Sequence, residues 1–248
     1  MAAVTQQSVQ NPNLYANNMQ LSWGSNTTLT VSSGQIRDNT NAYDIIFSET
    51  MTLNAATTGA NGLDTGALAN STWYYLFASA DTTKNETPAL LLSTSRTAPY
   101  LPGNYDVFTL IGMARTDGSA NFLKFYTAGS GMEREYFWDA SIAVLTSGTA
   151  TSLTAISLTG AVPPIDKTPV KIDVDFTPAT ANDTVSFAPF GSTATLLPHV
   201  TGSVAAKITS GELSVLSKVD SGAAKILYIN SAASGDADVW VSGFKFYI

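Results

Sequence analysis

The sequence of 248 residues has no cysteine and a single histidine, His199. Without cysteine the chain has no disulfide, no thiolate-based zinc site and no thiol nucleophile. A Ser-His-acid triad would need His199, but no G-x-S-x-G elbow surrounds any serine, and no G-x-x-x-x-G-K-[ST] phosphate loop occurs. We therefore interpret His199 as a loop or strand-edge residue. We predict a protein that is not an enzyme, with no catalytic residue, no cofactor and no metal ligand.

Charged side chains are also scarce: they make up 12% of the residues, and the net charge is −7. An acidic chain without a basic cluster is a poor binder of nucleic acid, and the sequence has no apolar run of the ~18 residues that span a membrane. We predict neither nucleic-acid binding nor membrane insertion. Hydrophobic residues make up 44%, which argues against disorder. With 32 threonines and 26 serines, the polar surface is mainly hydroxyl and amide, which we interpret as typical of a β protein.

The N-terminal segment carries no charged side chain before Arg37. Residues 6–20 are rich in Gln and Asn, and a segment with so few apolar side chains cannot offset the entropy of its own ordering. We predict that residues 1–20 form an extended anchoring arm, held by neighbouring subunits or by the following domain. The side chains that we predict to anchor it are Leu14, Tyr15 and Met19.

From residue 21 onward the hydrophobic period is close to two, as in β-strands. Tyr43, Ile45 and Phe47 alternate with other residues, and residues 73–77 and 107–111 form dense apolar runs typical of strands buried on both faces. Asp117-Gly118 between strand-like runs predicts a hairpin with a type I′ turn. These patterns predict a compact β domain over residues 21–139 that acts as the assembly module.

A second β domain is predicted over residues 140–248. Apolar residues alternate with charged ones over residues 170–176, which predicts a strand with one face toward the core. Ser-Gly pairs at 210–211, 221–222, 234–235 and 242–243 are interpreted as turns between short strands. The predicted fold class is therefore all-β: an N-terminal extended arm followed by two β-sandwich- or jelly-roll-like domains.

Pairs of acidic residues are the main candidates for chemistry. Glu133 and Glu135 flank Arg134, and on a strand both carboxylates would face one side, a pairing that glycosidases use. The alternative, a solvated face, is favoured because acidic residues are mostly exposed. The pairs at 173/175 and 236/238 repeat the spacing and would suit calcium, although nothing like an EF-hand loop surrounds them.

Two aromatic runs, residues 73–75 and 136–138, have two interpretations. They could be platforms on which sugars stack, or they could belong to the core or to a subunit interface. Consecutive residues of a strand alternate between its faces, so part of each run must point inward. We favour the core or the interface, where aromatic residues are common.

Several segments between residues 20 and 140 fit one known arrangement in order and spacing: TLTV at 28–31, GQIRD at 34–38, GLDTGAL at 62–68, WYYLF at 73–77, PALLLS at 88–93, LPGNYD at 101–106 and RTD at 115–117. In these segments the chain resembles a module of tailed-bacteriophage virion surface proteins, notably tail fibres and spikes. The resemblance implies a structural protein, assembled in the cytoplasm of the bacterial host and located on the virion surface. It supplies no catalytic motif.

The same resemblance implies a homo-oligomer, expected to be a trimer. The N-terminal arm would bind other virion proteins, and the distal domain would take part in host attachment, with host-surface glycan as a partner. One alternative is a capsid decoration or head-fibre protein that braces the shell. A free carbohydrate-binding module is a further alternative, but the N-terminus has neither the basic region nor the apolar core of a secretion signal.

Overall fold

The computed structural model describes the backbone of residues 3–6 and all atoms of residues 15–129, 131–193 and 197–248. The regular structure of these residues consists of β-strands in several sheets, which confirms the predicted all-β fold class. In the same ranges no helix is long and apolar enough to cross a membrane. The chain divides into two compact units: a first unit of Met1–Glu135 with Tyr247–Ile248, and a second unit of Tyr136–Phe246. The predicted boundary was at residues 139–140.

The first unit is built from short strands that form three sheets. The sheet orders are β1-β6-β5-β2, β3-β4-β7 and β11-β9-β10-β8. Neighbours pair antiparallel except β8 and β10, which are parallel. The strands are β1 (Ala3–Gln6), β2 (Ala16–Asn18), β3 (Leu21–Trp23), β4 (Thr28–Val31), β5 (Gly34–Arg37), β6 (Tyr43–Phe47), β7 (Met51–Asn54), β8 (Gly62–Leu63), β9 (Trp73–Ala80), β10 (Ala89–Ser93), β11 (Val107–Arg115) and β12 (Phe125–Ala128).

The centre of the first unit is the pair of strands β9 and β10. Every residue of β10 is buried, and so is every residue of β9 after Trp73. Side chains of successive strand residues point to opposite faces, so a strand covered on both faces needs apolar or small residues throughout. The dense apolar run at 73–77 was predicted to be such a strand, and that prediction is confirmed. The same prediction for residues 107–111 was wrong, because buried and half-buried residues alternate there.

Three loops of the first unit contain the same type of turn, and each of these turns begins at an aspartate. In each loop the carboxylate accepts hydrogen bonds from the backbone N–H groups two and four residues later, at 2.7–2.9 Å. The residue three positions after the aspartate has a left-handed φ of 60–62°. The three aspartates are Asp38, Asp81 and Asp117, and the left-handed residues are Asn41, Lys84 and Ala120.

This turn corrects the type I′ prediction for Asp117-Gly118. A type I′ turn needs positive φ at both central residues, but the left-handed residue of this loop is Ala120, with φ of 60°. The Asp117 carboxylate binds the N–H groups of Ser119 and Asn121 at 2.8 and 2.9 Å, and it therefore stabilises a wider loop. After that loop a single bridge joins Thr116 to Phe122 before β12 begins.

These turns make the stability of the first unit sensitive to acid. The pKa of Asp81 is lowered chiefly by the hydrogen bond from the Thr83 hydroxyl, and that of Asp117 chiefly by the N–H of Asn121. A carboxylate whose pKa is depressed in the folded state contributes stability above its unfolded pKa of about 3.9, and that contribution is lost as the pH falls through the folded pKa.

We expect Asp81→Asn to lower the urea midpoint at pH 7, because an amide oxygen accepts fewer hydrogen bonds than a carboxylate. Below about pH 4 its midpoint should fall less steeply than that of the wild type, since one of the linked protonations has been removed. Urea unfolding between pH 2 and 7 measures both effects. The exposed Glu49→Gln is the control and should follow the wild-type curve. Parallel curves for D81N and wild type would contradict the assignment.

The second unit contains two sheets and has the β-sandwich character that was predicted. One sheet contains β13, β21, β15 and β18 in that order; the other has the order β14-β20-β16-β17, and β19 also pairs with β20. The strands are β13 (Glu133–Gly148), β14 (Thr154–Ser157), β15 (Pro169–Thr177), β16 (Thr184–Pro189), β17 (His199–Thr201), β18 (Thr209–Leu216), β19 (Lys218–Asp220), β20 (Ala223–Asn230) and β21 (Asp236–Tyr247).

Strand β15 shows how the sequence builds this core. Its four apolar residues at 170, 172, 174 and 176 are at most 1% exposed, whereas the residues between them are half-buried. Val185 and Phe187 of β16 bring fully buried side chains from the other sheet. The alternation predicted for residues 170–176 is therefore confirmed.

Two of the four Ser-Gly pairs are not turns. Ser210-Gly211 lies inside β18, and Ser242-Gly243 lies inside β21. Both glycines are sites of close approach: a Cβ on Gly211 would lie 2.7 Å from a methyl group of Val200, and one on Gly243 would overlap the carbonyl oxygen of Tyr136. Glycine therefore marks tight packing at these positions, and the turn prediction for these two pairs was wrong.

Candidate functional site

The three predicted anchoring residues differ in what the structure says of them. Leu14 lies outside the described residues. Tyr15 is half-buried, and Met19 is fully buried, with 0% of its surface exposed. Met19 thus contributes to the core of its own chain, whereas contact of the arm with a neighbouring subunit stays a prediction. The described parts of the arm, β1 and β2, pair with β6 and β5 of the same chain.

Tyr15 is held by two residues of β5. Its carbonyl oxygen accepts a hydrogen bond from the N–H of Arg37 at 3.0 Å, and its hydroxyl oxygen accepts one from the Gln35 amide at 3.1 Å. The Arg37 guanidinium lies 5.4 Å from the centre of the Tyr15 ring, within the range of a cation–π interaction. The end of the arm is thereby attached to the first unit.

A buried ion pair lies beside Tyr15. Nε of Arg37 is 3.2 Å from Oδ1 of Asp44, and both side chains are at most 3% exposed. Burial, followed by a hydrogen bond with Asp44, raises the pKa of Tyr15 to about 12. The phenol therefore stays protonated at neutral pH and can donate to the carboxylate. This cluster is structural: it fixes β2 against β5 and β6.

The acidic pair around Arg134 has the alternation that was predicted. Glu133 and Glu135 are half-buried, whereas Arg134 is 1% exposed. Nη2 of Arg134 donates a hydrogen bond to the carbonyl oxygen of Asn18 at 2.6 Å, and Nη1 donates to that of Glu133 at 3.2 Å. The arginine thus stabilises backbone of the first unit.

Three of the four aspartates in the pairs 173/175 and 236/238 accept hydrogen bonds from neighbouring donors. Asp173 and Asp175 accept hydrogen bonds from the hydroxyls of Ser141 and Ser210, at 3.2 and 2.6 Å. Asp238, which lies opposite Asp175 in the sheet, accepts one from a backbone N–H at 2.7 Å. Among the described residues, no group of three or more His, Asp or Glu side chains could hold a metal ion.

The aromatic runs contribute mainly to the core. Tyr74 and Tyr75 are at most 6% exposed, and Tyr136 and Trp138 at most 7%. Tyr136 stacks on Phe244 with ring centres 4.7 Å apart and planes 5° apart, and the indole N–H of Trp138 donates to a backbone carbonyl at 3.0 Å. The favoured interpretation of these runs as core residues is therefore confirmed at these four positions.

The single histidine lies on the short strand β17. His199 is exposed, its Nδ1 is 3.0 Å from the carbonyl oxygen of Leu197, and it lies opposite Ser186 in the sheet. Because β17 is the last strand of its sheet, His199 is a strand-edge residue, as predicted.

A cavity of about 450 Å³ lies beside Ser186 on the second unit. Hydroxyl-bearing residues, an amide residue and aliphatic residues line it, and none of the lining residues is charged. Such a size and such a lining suit a small neutral ligand that carries hydroxyl groups. We call it the neutral cavity; its lining residues are Leu153, Thr184, Ser186, Thr193, Leu197, Ile229, Asn230 and Ser231.

A second cavity, of about 280 Å³, lies on the first unit and differs in chemistry. Phe77, Phe108 and Arg96 are among its lining residues. Phe77 is buried and Phe108 half-buried, and we call these two the floor; Arg96 is exposed, and we place it on the rim. The sequence analysis missed it, although one signal was present: Arg96 is the sole charged residue between Glu86 and Asp106. We call it the Arg96 cavity.

Comparison with known proteins identifies no family. No protein-family model matches the chain, and no curated protein matches it. Two solved structures show weak similarity: the VP2 subviral particle of infectious bursal disease virus (10% identity, 99% of this chain and 71% of the other, TM-score 0.27) and a Cry1Da tryptic core variant of Bacillus thuringiensis (8% identity, 95% and 50%, TM-score 0.23). The chain spans half the length of the toxin core. Both TM-scores are too low to establish a shared fold or function.

Proposed function

We propose that the chain is a non-enzymatic structural protein on the surface of a tailed-bacteriophage virion, a trimeric tail fibre, spike or related component involved in host attachment. One observation carries the proposal. The segment with the resemblance, residues 20–140, coincides closely with the first compact unit, Met1–Glu135 with Tyr247–Ile248. The resemblance thus falls mainly on one compact unit, and almost all of the second unit lies outside it.

The second unit is the part that we assign to the host surface. Its neutral cavity offers hydroxyl groups beside aliphatic side chains, a combination that suits an uncharged part of a glycan. Contacts of this kind are weak individually. In a trimer three copies would act together, and avidity would raise the apparent affinity without any new contact.

The first experiment is the solution mass of the recombinant chain by light scattering during size exclusion. A trimer, with three times the chain mass of 26.1 kDa, is the expected result. Immunogold labelling of the source phage should then place the chain on the tail. Labelling on the capsid would favour a decoration or head-fibre protein instead. A monomer that is absent from particles would overturn the proposal and favour a free carbohydrate-binding module.

Deleting residues 1–14 tests the predicted anchoring arm. The deletion removes β1, a four-residue edge strand, but it stops before Tyr15 and Met19 because Met19 belongs to the core. The truncated chain should therefore lose only the small β signal of β1 from its circular dichroism spectrum. We expect it to be lost from purified particles, as measured by immunoblotting after complementation of a gene deletion. The full-length chain, complemented in the same way, is the control. Normal incorporation of the folded truncated chain would refute the anchoring role.

A further inference from the structure

The Arg96 cavity combines groups that together fit one class of ligand. We propose that it binds a sugar ring that carries a carboxylate, and that Arg96 pairs with this carboxylate. The floor would pack against the apolar face of the ring, and the remaining rim groups would bind its hydroxyls.

Arg96 is the only charged side chain among the lining residues. Its side chain is exposed, and it makes no ion pair within the described part of the chain, whereas Arg37 and Lys225 each contact an aspartate. The positive charge of Arg96 opposes the rise that burial causes in the pKa of the Tyr75 phenol. A planar guanidinium can bind a carboxylate through two parallel hydrogen bonds.

The floor of the cavity is apolar and aromatic. Phe77 of β9 and Phe108 of β11 meet edge to face, with ring centres 5.7 Å apart and planes at 81°. Leu110 lies directly opposite Phe77 in the sheet and extends the same surface. The C–H groups on one face of a sugar ring can pack against such a surface, while the polar edge of the ring stays free for hydrogen bonds.

The rim adds the amide of Asn39 and the hydroxyl of Thr97. The backbone N–H of Asn39 donates to the carbonyl oxygen of Phe108 at 2.9 Å, which fixes the Asn39 loop beside the floor. An amide and a hydroxyl are suitable partners for ring hydroxyls. An acidic side chain of another protein could form an ion pair with Arg96. It would not form the hydrogen bonds with Asn39 and Thr97 or the packing on the floor that a sugar ring would form.

The volume limits the ligand to a single ring. At about 280 Å³ the cavity is slightly smaller than the usual range of about 300–1,000 Å³ for small-molecule sites. The preference for a carboxylate follows from Arg96 alone. The assignment of the ring to a glycan of the host surface rests on the proposed function, and it adds a glycan contact on the first unit to the one proposed for the second unit.

The test is a titration of the full-length ¹⁵N-labelled chain with galacturonate and with galactose, followed by NMR. The two probes differ chiefly in the carboxylate. We expect galacturonate to shift the amide signals of residues 96, 97 and 108, and to bind at least ~10-fold more tightly than galactose, because hydrogen bonds to charged groups contribute about 1.5–3 kcal/mol. Raising the salt concentration should weaken galacturonate binding.

The variant Arg96→Gln should weaken galacturonate binding at least ~10-fold and leave the weak binding of galactose unchanged. Lys84→Gln is the matched control: it removes one exposed positive charge from the loop before β10, at the other end of that strand from Arg96, and it should bind galacturonate like the wild type.

Three results would overturn the proposal: equal affinity for both probes, equal binding by R96Q and K84Q, or no shift with galacturonate at high concentration. If an Asp-containing dipeptide shifts the same signals and galacturonate does not, the site binds a protein carboxylate and the sugar assignment is wrong. These measurements use the isolated chain. A failure here therefore leaves the virion proposal standing, and absence of the chain from particles would leave the binding result standing.

Discussion

Asp44→Ala is expected to destabilise the first unit by about 3–5 kcal/mol, the usual cost of removing one partner of a buried ion pair. The Asp44 carboxylate is fully buried and lies 3.2 Å from Nε of Arg37, and the two residues face each other directly across β5 and β6. The substitution takes the carboxylate partner from a buried guanidinium and the hydrogen bond from the Tyr15 phenol. Hydrogen exchange in rising urea, read by mass spectrometry on peptides of β5 and β6, measures the loss in this unit.

Two further variants make the test specific. The double variant Arg37→Met with Asp44→Leu removes both charges and should be more stable than Asp44→Ala, because an apolar pair of similar size often replaces a buried ion pair at little cost. Lys225→Ala removes one partner of a partly exposed pair and should have a much smaller effect. Equal losses for D44A and K225A would show that the buried pair has no special importance.

Gly243→Ala is expected to destabilise the second unit by about 3 kcal/mol or more, at or above the upper end for overpacking. A Cβ at this position would overlap the backbone carbonyl oxygen of Tyr136, which cannot move aside as a flexible side chain can. The sheet register also shifts here, because Lys171 and Ile172 are consecutive but face Gly243 and Val241. The added methyl group would therefore force β13 and β21 apart where the sheet is already irregular.

Gly118→Ala is the matched control, since a Cβ on Gly118 would meet nothing within 4 Å. It should change stability by no more than ~0.5 kcal/mol. Hydrogen exchange of β13 and β21 in rising denaturant, read by mass spectrometry, measures the stability of the second unit. A Gly243→Ala variant as stable as Gly118→Ala would show that the sheet can open at this point without cost.

The spacing of apolar residues along the sequence was enough to predict strands that are covered evenly on one face or on both faces. The alternation of β15 and the dense run of β9 each record which faces of the strand are covered, and both predictions are confirmed. Glycine was less informative because the same residue serves two purposes. At Gly243 it permits close approach of a distant strand, and sequence spacing cannot distinguish that role from a turn.

The cavities could not be predicted from the sequence, because residues that are distant in sequence line them. The Arg96 cavity takes its residues from the loop after β5, from β9, from the loop after β10, from β11 and from the residue after β21, so no local motif contains them. Met19 illustrates the opposite difficulty. Its uncharged, polar surroundings predicted an arm, but a residue that follows a short paired strand can be fully buried in its own chain.

The position of β21 has a consequence for the order in which the protein folds during synthesis. In the second unit β21 lies between β13 and β15, so the sheet lacks an interior strand until residues 236–247 have left the ribosome. The hairpins β5–β6 and β9–β10 join strands that are close in sequence and can form much earlier. We therefore expect a ribosome stalled near residue 235 to carry a largely folded first unit and a second unit that proteases still cut.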